Sequence, residues 1–322
     1  MVAKEAWSYP QLPPACLASG EACPDCPIAP ECGYLAVGKA LQDERRALEA
    51  THAELGETRV KLEKECVENV RAMHDSLIPG FLSRYGLEKT VEQNKSLQRE
   101  ILEGRCGVLM LDLRGLEYIN NTYGHLAGDA YLKHAAARLT GNGSSGLLRS
   151  SSPPPEIENR RSNPNLRDIL FCRPSGGGDE IVGIVRDITQ DDFRLVEQRI
   201  SSELSIDMAI RDSAQGRAPV IACIGGAHAA VFPPNLGTSP IDQLNVLIGK
   251  ADEISNQRHA IQYHILWGMA VNVNPALSTR YPLIALEPDK NKWVVMEQFF
   301  LTKCPDFAQD PRAMLVAPEG AQ

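Results

Sequence analysis

VLMLDLRGLEYINNTYGHLAGD (108–129) and FCRPSGGGDEIVGIV (171–185) are the two stretches on which the reading of this chain turns. In the first, the apolar run Val108-Leu109-Met110-Leu111 reads as a buried strand that ends on an acid, Asp112. In the second, two short apolar runs flank a glycine turn followed by Asp179 and Glu180, which is a hairpin signal with a long loop. An acid at a strand end, and two acids after a diglycine turn on a neighbouring strand pair, are what a magnesium–nucleoside triphosphate site requires. Magnesium takes hard carboxylate oxygens and keeps substrate phosphates as further ligands. Glycine lets the backbone come close to a phosphate. Taken singly, each motif is as well read as a solvated turn or a surface acid; together they point to one site.

Working outward, the elements expected are a helix from Leu35 to about Met73, two helical pieces over 74–103 broken at Pro79-Gly80, and a strand at Gly107–Asp112. A helix follows around Tyr118–Leu139, then the hairpin, a helix at Asp191–Ile206, a strand at Pro219–Gly225 and a helix at Pro240–Gln257. This order describes an α+β fold, an α/β sandwich on a central, mainly antiparallel sheet, preceded by a long helix. Residues 140–166 are rich in Gly, Ser, Pro and Asn and read as a flexible insertion. Segments such as YHILWGMAVNV (263–273) and KWVVMEQFF (292–300) read as a small β-rich unit. The domain division expected is 1–34, a Cys/Pro-rich metal-binding segment; 35–74, a helical stalk; 75–259, the sandwich domain; and 260–322, a C-terminal extension of unknown role.

The chain has 322 residues, 43% of them apolar, and a net charge of −8, with no basic stripe of the kind that binds nucleic acid. No apolar run reaches the roughly 18 residues of a membrane span, and the N-terminus has no signal pattern, so a cytoplasmic protein is expected. Leu41, Leu48, Leu55 and Leu62 recur every seven residues, a seam that suits either an amphipathic helix packed on the body or a parallel homodimer stalk. Cys16, Cys23, Cys26 and Cys32 fall within one short segment; four such ligands can close on zinc or hold an iron–sulfur cluster, and the alternative is a reduced Pro/Cys tail. The other five of the nine cysteines read as small buried hydrophobes.

The residues then align with a known pattern. Asp112, Asn120, Gly124, His125, Gly128 and Asp129 match in register the first block of the GGDEF family, D-x-D-x-F-K-x-x-N-D-x-x-G-H-x-x-G-D, and Gly177-Gly178-Asp179-Glu180 match its signature, with Ile181 in place of Phe. DSLIPGFLSRYGLEK (75–89), VIACIGGA (220–227) and KADE (250–253) resemble three further family segments, so the resemblance covers about 75–259. It implies a nucleotide-cyclase palm-like fold. It also implies a diguanylate cyclase that condenses two GTP into cyclic di-GMP with Mg2+ or Mn2+, as a homodimer in signalling. By the same resemblance Asp112, the Leu113 carbonyl and Glu180 hold metal, Asp179 and Glu180 serve catalysis, Gly177 and Gly178 admit phosphate, and Asn120 and Asp129 read guanine. Two alternatives stand beside it: a degenerate module that binds nucleotide or a partner protein and relays a signal, and a palm-fold cyclase making another nucleotide product.

Several positions depart from the family pattern. Arg114 replaces the second Asp of the first block, Glu117 replaces Lys, and His259 stands where the late helix has Lys. Two cationic phosphate contacts are therefore missing, and weaker GTP binding is expected. Arg114 is expected either to supply one such contact or to point into solvent. The turn RPSGGGDE is longer than the family's R-Y-G-G-D-E, and the inhibitory R-x-x-D motif is not recognisable.

Overall fold

The computed structural model describes residues 33–140, 169–174, 178–235 and 237–315, with side chains from residue 40 onward. The chain divides into two compact units, Met1–Asn69 and Val70–Gln322.

Helix α1 runs Gly33–Met73 over 41 residues. It has little proline or glycine to break it, and its surface carries (i, i+4) pairs of opposite charge, among them Arg45–Glu49 at 2.9 Å and Arg59–Glu63 at 2.9 Å. Each such pair adds only a few tenths of a kcal/mol, about 0.2–0.5. The four leucines of the heptad are 59–63% exposed.

The second unit is built on one sheet. Its strands are β1 (Leu82–Ser83), β2 (Cys106–Leu113), β3 (Ile169–Arg173), β4 (Glu180–Arg186) and β5 (Ala222–His228), in the order β1-β3-β4-β2-β5. Only the β1–β3 pair is parallel; the other three are antiparallel. The sheet is covered on both faces, so its inner strands read as unbroken apolar runs rather than alternating ones. One face carries Leu109, Leu111, Leu113, Ile181 and Phe171; the other carries Val108, Met110, Val182, Ile184 and Cys172.

The helices of this unit are α2 (Arg84–Gln93), α3 (Lys95–Leu102), α4 (Leu116–Tyr123), α5 (His125–Thr140), α6 (Gln190–Glu203), α7 (Ile206–Ala214) and α8 (Pro240–Val273), followed by α9 (Ala276–Arg280), α10 (Pro282–Leu286), α11 (Lys292–Lys303), α12 (Pro305–Gln309) and α13 (Pro311–Leu315). Local capping explains where several begin. The Thr189, Ser205 and Ser239 side chains each accept the backbone N–H three residues on, opening α6, α7 and α8, and α8 adds Pro240 in its first turn. Gly124, at φ 86°, divides the single helix expected over 118–139 into α4 and α5.

The tail differs from expectation. Residues 263–273 and 292–300 are helical rather than β-rich. Tyr263, Leu266, Trp267 and Ala270 are buried at the i, i+3, i+4, i+7 spacing of one helix face, and α8 continues unbroken through 259–260 to Val273. Phe299, Phe300 and Phe307 are fully buried in the same cluster as β2, α4 and α5. Tyr118 of α4 stacks on Phe300 at 5.5 Å between ring centroids, and the Tyr123 hydroxyl donates to the Ala308 carbonyl. The extension is therefore part of the core of this unit, packed against the helix that follows β2.

Among the described residues, no helix is long and apolar enough to cross a membrane.

Candidate functional site

The acids of the two motifs meet at the ends of β2 and β4. Asp112 and Glu180 are direct partners in the antiparallel register, so their side chains lie on the same face of the sheet. The Leu113 N–H donates to the Asp179 carbonyl at 3.0 Å, tying the hairpin's exit to the end of β2. Gly178, Asp179 and Glu180 are half-buried; Gly177 lies outside the described residues, as do Cys16, Cys23, Cys26 and Cys32.

Arg114 dominates this end of the sheet. It lies two residues past Asp112 and so projects to the same side. It is 2% exposed, so it neither points into solvent nor stands free to reach a phosphate. One terminal nitrogen donates to Asp112 Oδ2 at 3.2 Å and also contacts His259 Nε2. Its Nε donates to Gln262 Oε1 at 3.0 Å, and its guanidinium carbon stands 5.0 Å from the centre of the Tyr263 ring. The backbone is equally held: the Arg114 N–H donates to the Ile221 carbonyl at 2.8 Å, and its own carbonyl accepts from the Tyr131 hydroxyl at 2.7 Å. The next residue, Gly115, is in the left-handed region at φ 88°, and a Cβ there would fall 2.7 Å from the Phe300 ring.

The electrostatics follow from burial. Asp112 is pushed up to about 6, because desolvation outweighs the opposing pull of Arg114. Glu180 is also raised, first by burial and then by Asp252 and Asp179. His259 is driven down to about 3 by burial, then by Arg114 and Lys292, so its imidazole is neutral at physiological pH.

The metal ions that the family resemblance implies must be weighed against this arrangement. An ion beside Asp112 would share its carboxylate with a permanently charged, buried guanidinium. Among the described residues, no group of three or more His, Cys, Asp or Glu side chains gathers to hold a metal. The surroundings of Asp112 do not fit a divalent ion.

A second region has a different character. Asn120, Gly128 and Asp129 line a cavity of about 330 Å³ together with Ser76, His125 and Arg173; Asp112 and Glu180 are not among its lining residues. Gly128 is required here: a Cβ would come within 1.9 Å of Asn120 Oδ1, so the bare backbone of α5 is what the Asn120 side chain lies against. The pair Arg173–Asp75, at 3.0 Å with both side chains almost fully buried, ties the end of β3 to the DSLIPG segment. Asp75 in turn accepts the N–H groups of Leu77 and Ile78 at 2.8 and 2.7 Å.

Sequence reasoning passed over Arg173, Asp75 and Lys292 as site residues. Arg173 opens RPSGGGDE and Asp75 opens DSLIPG, so both were visible as the first residues of motifs. Lys292 left no such signal, because only the folded tail brings it into electrostatic range of Asp112 and His259.

Comparison with known proteins adds a family. Residues 72–147 match the family model described as Diguanylate cyclase, GGDEF domain, a range that holds the first block and stops short of 177–180. No curated protein matches. Among solved structures, the chain is similar to the diguanylate cyclase SiaD of Pseudomonas aeruginosa, solved with its activator SiaC (19% identity, 71% of this chain and 74% of that one, TM-score 0.38). It is also similar to the coiled coil and GGDEF domain of DgcB from Caulobacter crescentus, solved with c-di-GMP (18% identity, 65% and 93%, TM-score 0.39). The GGDEF family match is thus carried by residues 72–147, which open the α+β unit built on the five-stranded sheet.

Proposed function

We propose that this protein is a diguanylate cyclase-like signalling module that binds a guanine nucleotide without condensing it, with the base in the Asn120–Asp129 cavity. The observation that carries this reading is the pairing of an acid and an amide in one open cavity, with Gly128 leaving Asn120 its space. A carboxylate accepts from guanine N1–H and the N2 amino group, a pattern adenine does not offer, and an Asn amide both donates and accepts. Titration of the full chain with GTP and with ATP tests it. GTP should bind more tightly, and Asp129→Asn should erase the difference; equal affinity for both nucleotides contradicts the reading.

A second reading keeps the enzyme: two GTP condensed into cyclic di-GMP by a homodimer. Two observations favour it. Asp112 and Glu180 face each other across the strand pair, and Asp112 Oδ1 is buried without a hydrogen-bond partner. It requires Arg114 to give up Asp112. Cyclic di-GMP detected by mass spectrometry, and lost in Glu180→Ala, would establish it. The exposed leucine seam of α1 supports a homodimer in either case, with a second copy as partner; Leu48→Lys/Leu55→Lys should then sediment as a monomer.

The metal-binding segment at 1–34 and the stalk at 35–74 are kept as proposals, whereas 260–322 share one core with 75–259; a cytoplasmic location and a zinc or iron–sulfur site at Cys16, Cys23, Cys26 and Cys32 serving as sensory input are likewise proposed. Metal analysis of anaerobically purified protein tests the last, and no zinc or iron above background refutes it.

A further inference from the structure

We propose that the Arg114 guanidinium is a tethered cation that takes the place of a divalent ion beside Asp112, so that the strand-end carboxylates of this domain do not load Mg2+ or Mn2+. The inference concerns the same region as the nucleotide reading but does not depend on it, because metal binding is measured with no nucleotide present.

Three independent features hold the cation in place. The guanidinium stays charged at every pH at which the protein folds, unlike a histidine or a buried lysine. It is clamped on several sides, by Asp112 Oδ2 at 3.2 Å, Gln262 Oε1 at 3.0 Å, the Tyr263 ring and His259. The loop that carries it is closed by the tail: Phe300 and Met296 lie over Gly115, and the Tyr131 hydroxyl holds the Arg114 carbonyl. The side chain is therefore a fixed element of the core rather than an arm that swings aside.

Its partners on α8 fit this role. His259 and Tyr263 offer a neutral imidazole and a ring face, so nothing cationic on that helix competes with Arg114 for Asp112. A divalent ion at Asp112 would meet a fixed positive charge in surroundings with little water to screen it, and like charges at close range in such a setting repel strongly. Without Asp112, Glu180 has Asp179 and Asp252 in electrostatic range, but among the described residues these do not gather into a group of three that could hold Mg2+, which demands near-octahedral oxygen coordination.

The test uses the full-length protein and Mn2+ alone, followed by the loss of the free-ion paramagnetic resonance signal. Wild type and Asp112→Asn should titrate alike. Arg114→Gln, which removes the charge and leaves a shorter polar side chain, should bind Mn2+ at least about tenfold more tightly once its fold is verified by circular dichroism, a gap of about 1.4 kcal/mol. The gain should vanish in Arg114→Gln/Glu180→Gln. Mn2+ binding by wild type that Asp112→Asn removes would overturn the proposal, and so would a folded Arg114→Gln with no gain. If Arg114→Gln does not fold, the wild-type and Asp112→Asn titrations decide the matter alone.

Discussion

The cavity beside α4 and α5 and the carboxylates at the ends of β2 and β4 belong to one domain but have met different fates. The cavity keeps its polar pair, Asn120 and Asp129, and the glycine that makes room for them. The strand end keeps Asp112 and Glu180 in register but sets Arg114 between Asp112 and α8. If both proposals hold, base recognition and metal binding are separable in this fold. On the proposal above, a motif can keep its acids and lose its metal chemistry when a neighbour two residues away changes sign.

The largest expected effect falls on the cavity side. Arg173→Ala leaves the buried Asp75 without its cation, and breaking a buried pair in this way costs about 3–5 kcal/mol. Urea unfolding should show that loss; a change below about 1 kcal/mol, the scale of an exposed pair, would mean the cavity wall does not lean on this pair. Gly128→Ala should follow, with about 1–3 kcal/mol of overpacking and a displaced Asn120. GTP affinity should drop with it. Unchanged binding in that variant would remove Asn120 from the pocket. Asp129→Asn should leave stability near wild type and weaken GTP by about 10–100-fold, the worth of a hydrogen bond to a charged group.

The smallest effect is on the strand-end side and depends on pH. His259 is near 3 in the folded protein and near 6.5 when unfolded, so its protonation favours the unfolded chain, and stability falls as pH drops below about 6.5. Asp112 acts in the opposite sense. Its folded value near 6 lies above the unfolded one, so it adds stability in acid that is lost as pH rises from about 4 to 6. The two slopes oppose each other in wild type. His259→Gln should uncover the Asp112 slope, gaining about 1 kcal/mol at pH 5 relative to pH 7.5. Parallel melting curves for variant and wild type across that range would show that the imidazole is not buried beside a cation.

Much of the sheet was legible because its signals are local. Val108–Leu111 and Ile181–Val185 are short apolar runs bounded by turns, and the register that joins Asp112 to Glu180 follows once they pair. Asn120 and Asp129 were legible only through the family resemblance, which gave both as guanine readers; that they share a cavity with Gly128 follows from the packing of α4 on α5. The two-residue strand β1 carries no periodicity and was invisible. The tail was misread because its apolar residues are dense enough to suggest alternation, while the buried set follows the helical period. Arg114 was seen as a sign change, but its burial depends on Gln262 and Tyr263, some 150 residues away on a helix expected to end before them.

The central claim is that the nucleotide half of the site works without the metal half. Its most direct test is titration of the full-length protein with GTP, once in EDTA and once with Mg2+, with mass spectrometry on the end products. The same Kd is expected in both, with no cyclic di-GMP. GTP binding that appears only with Mg2+, together with cyclic di-GMP among the products, would contradict it.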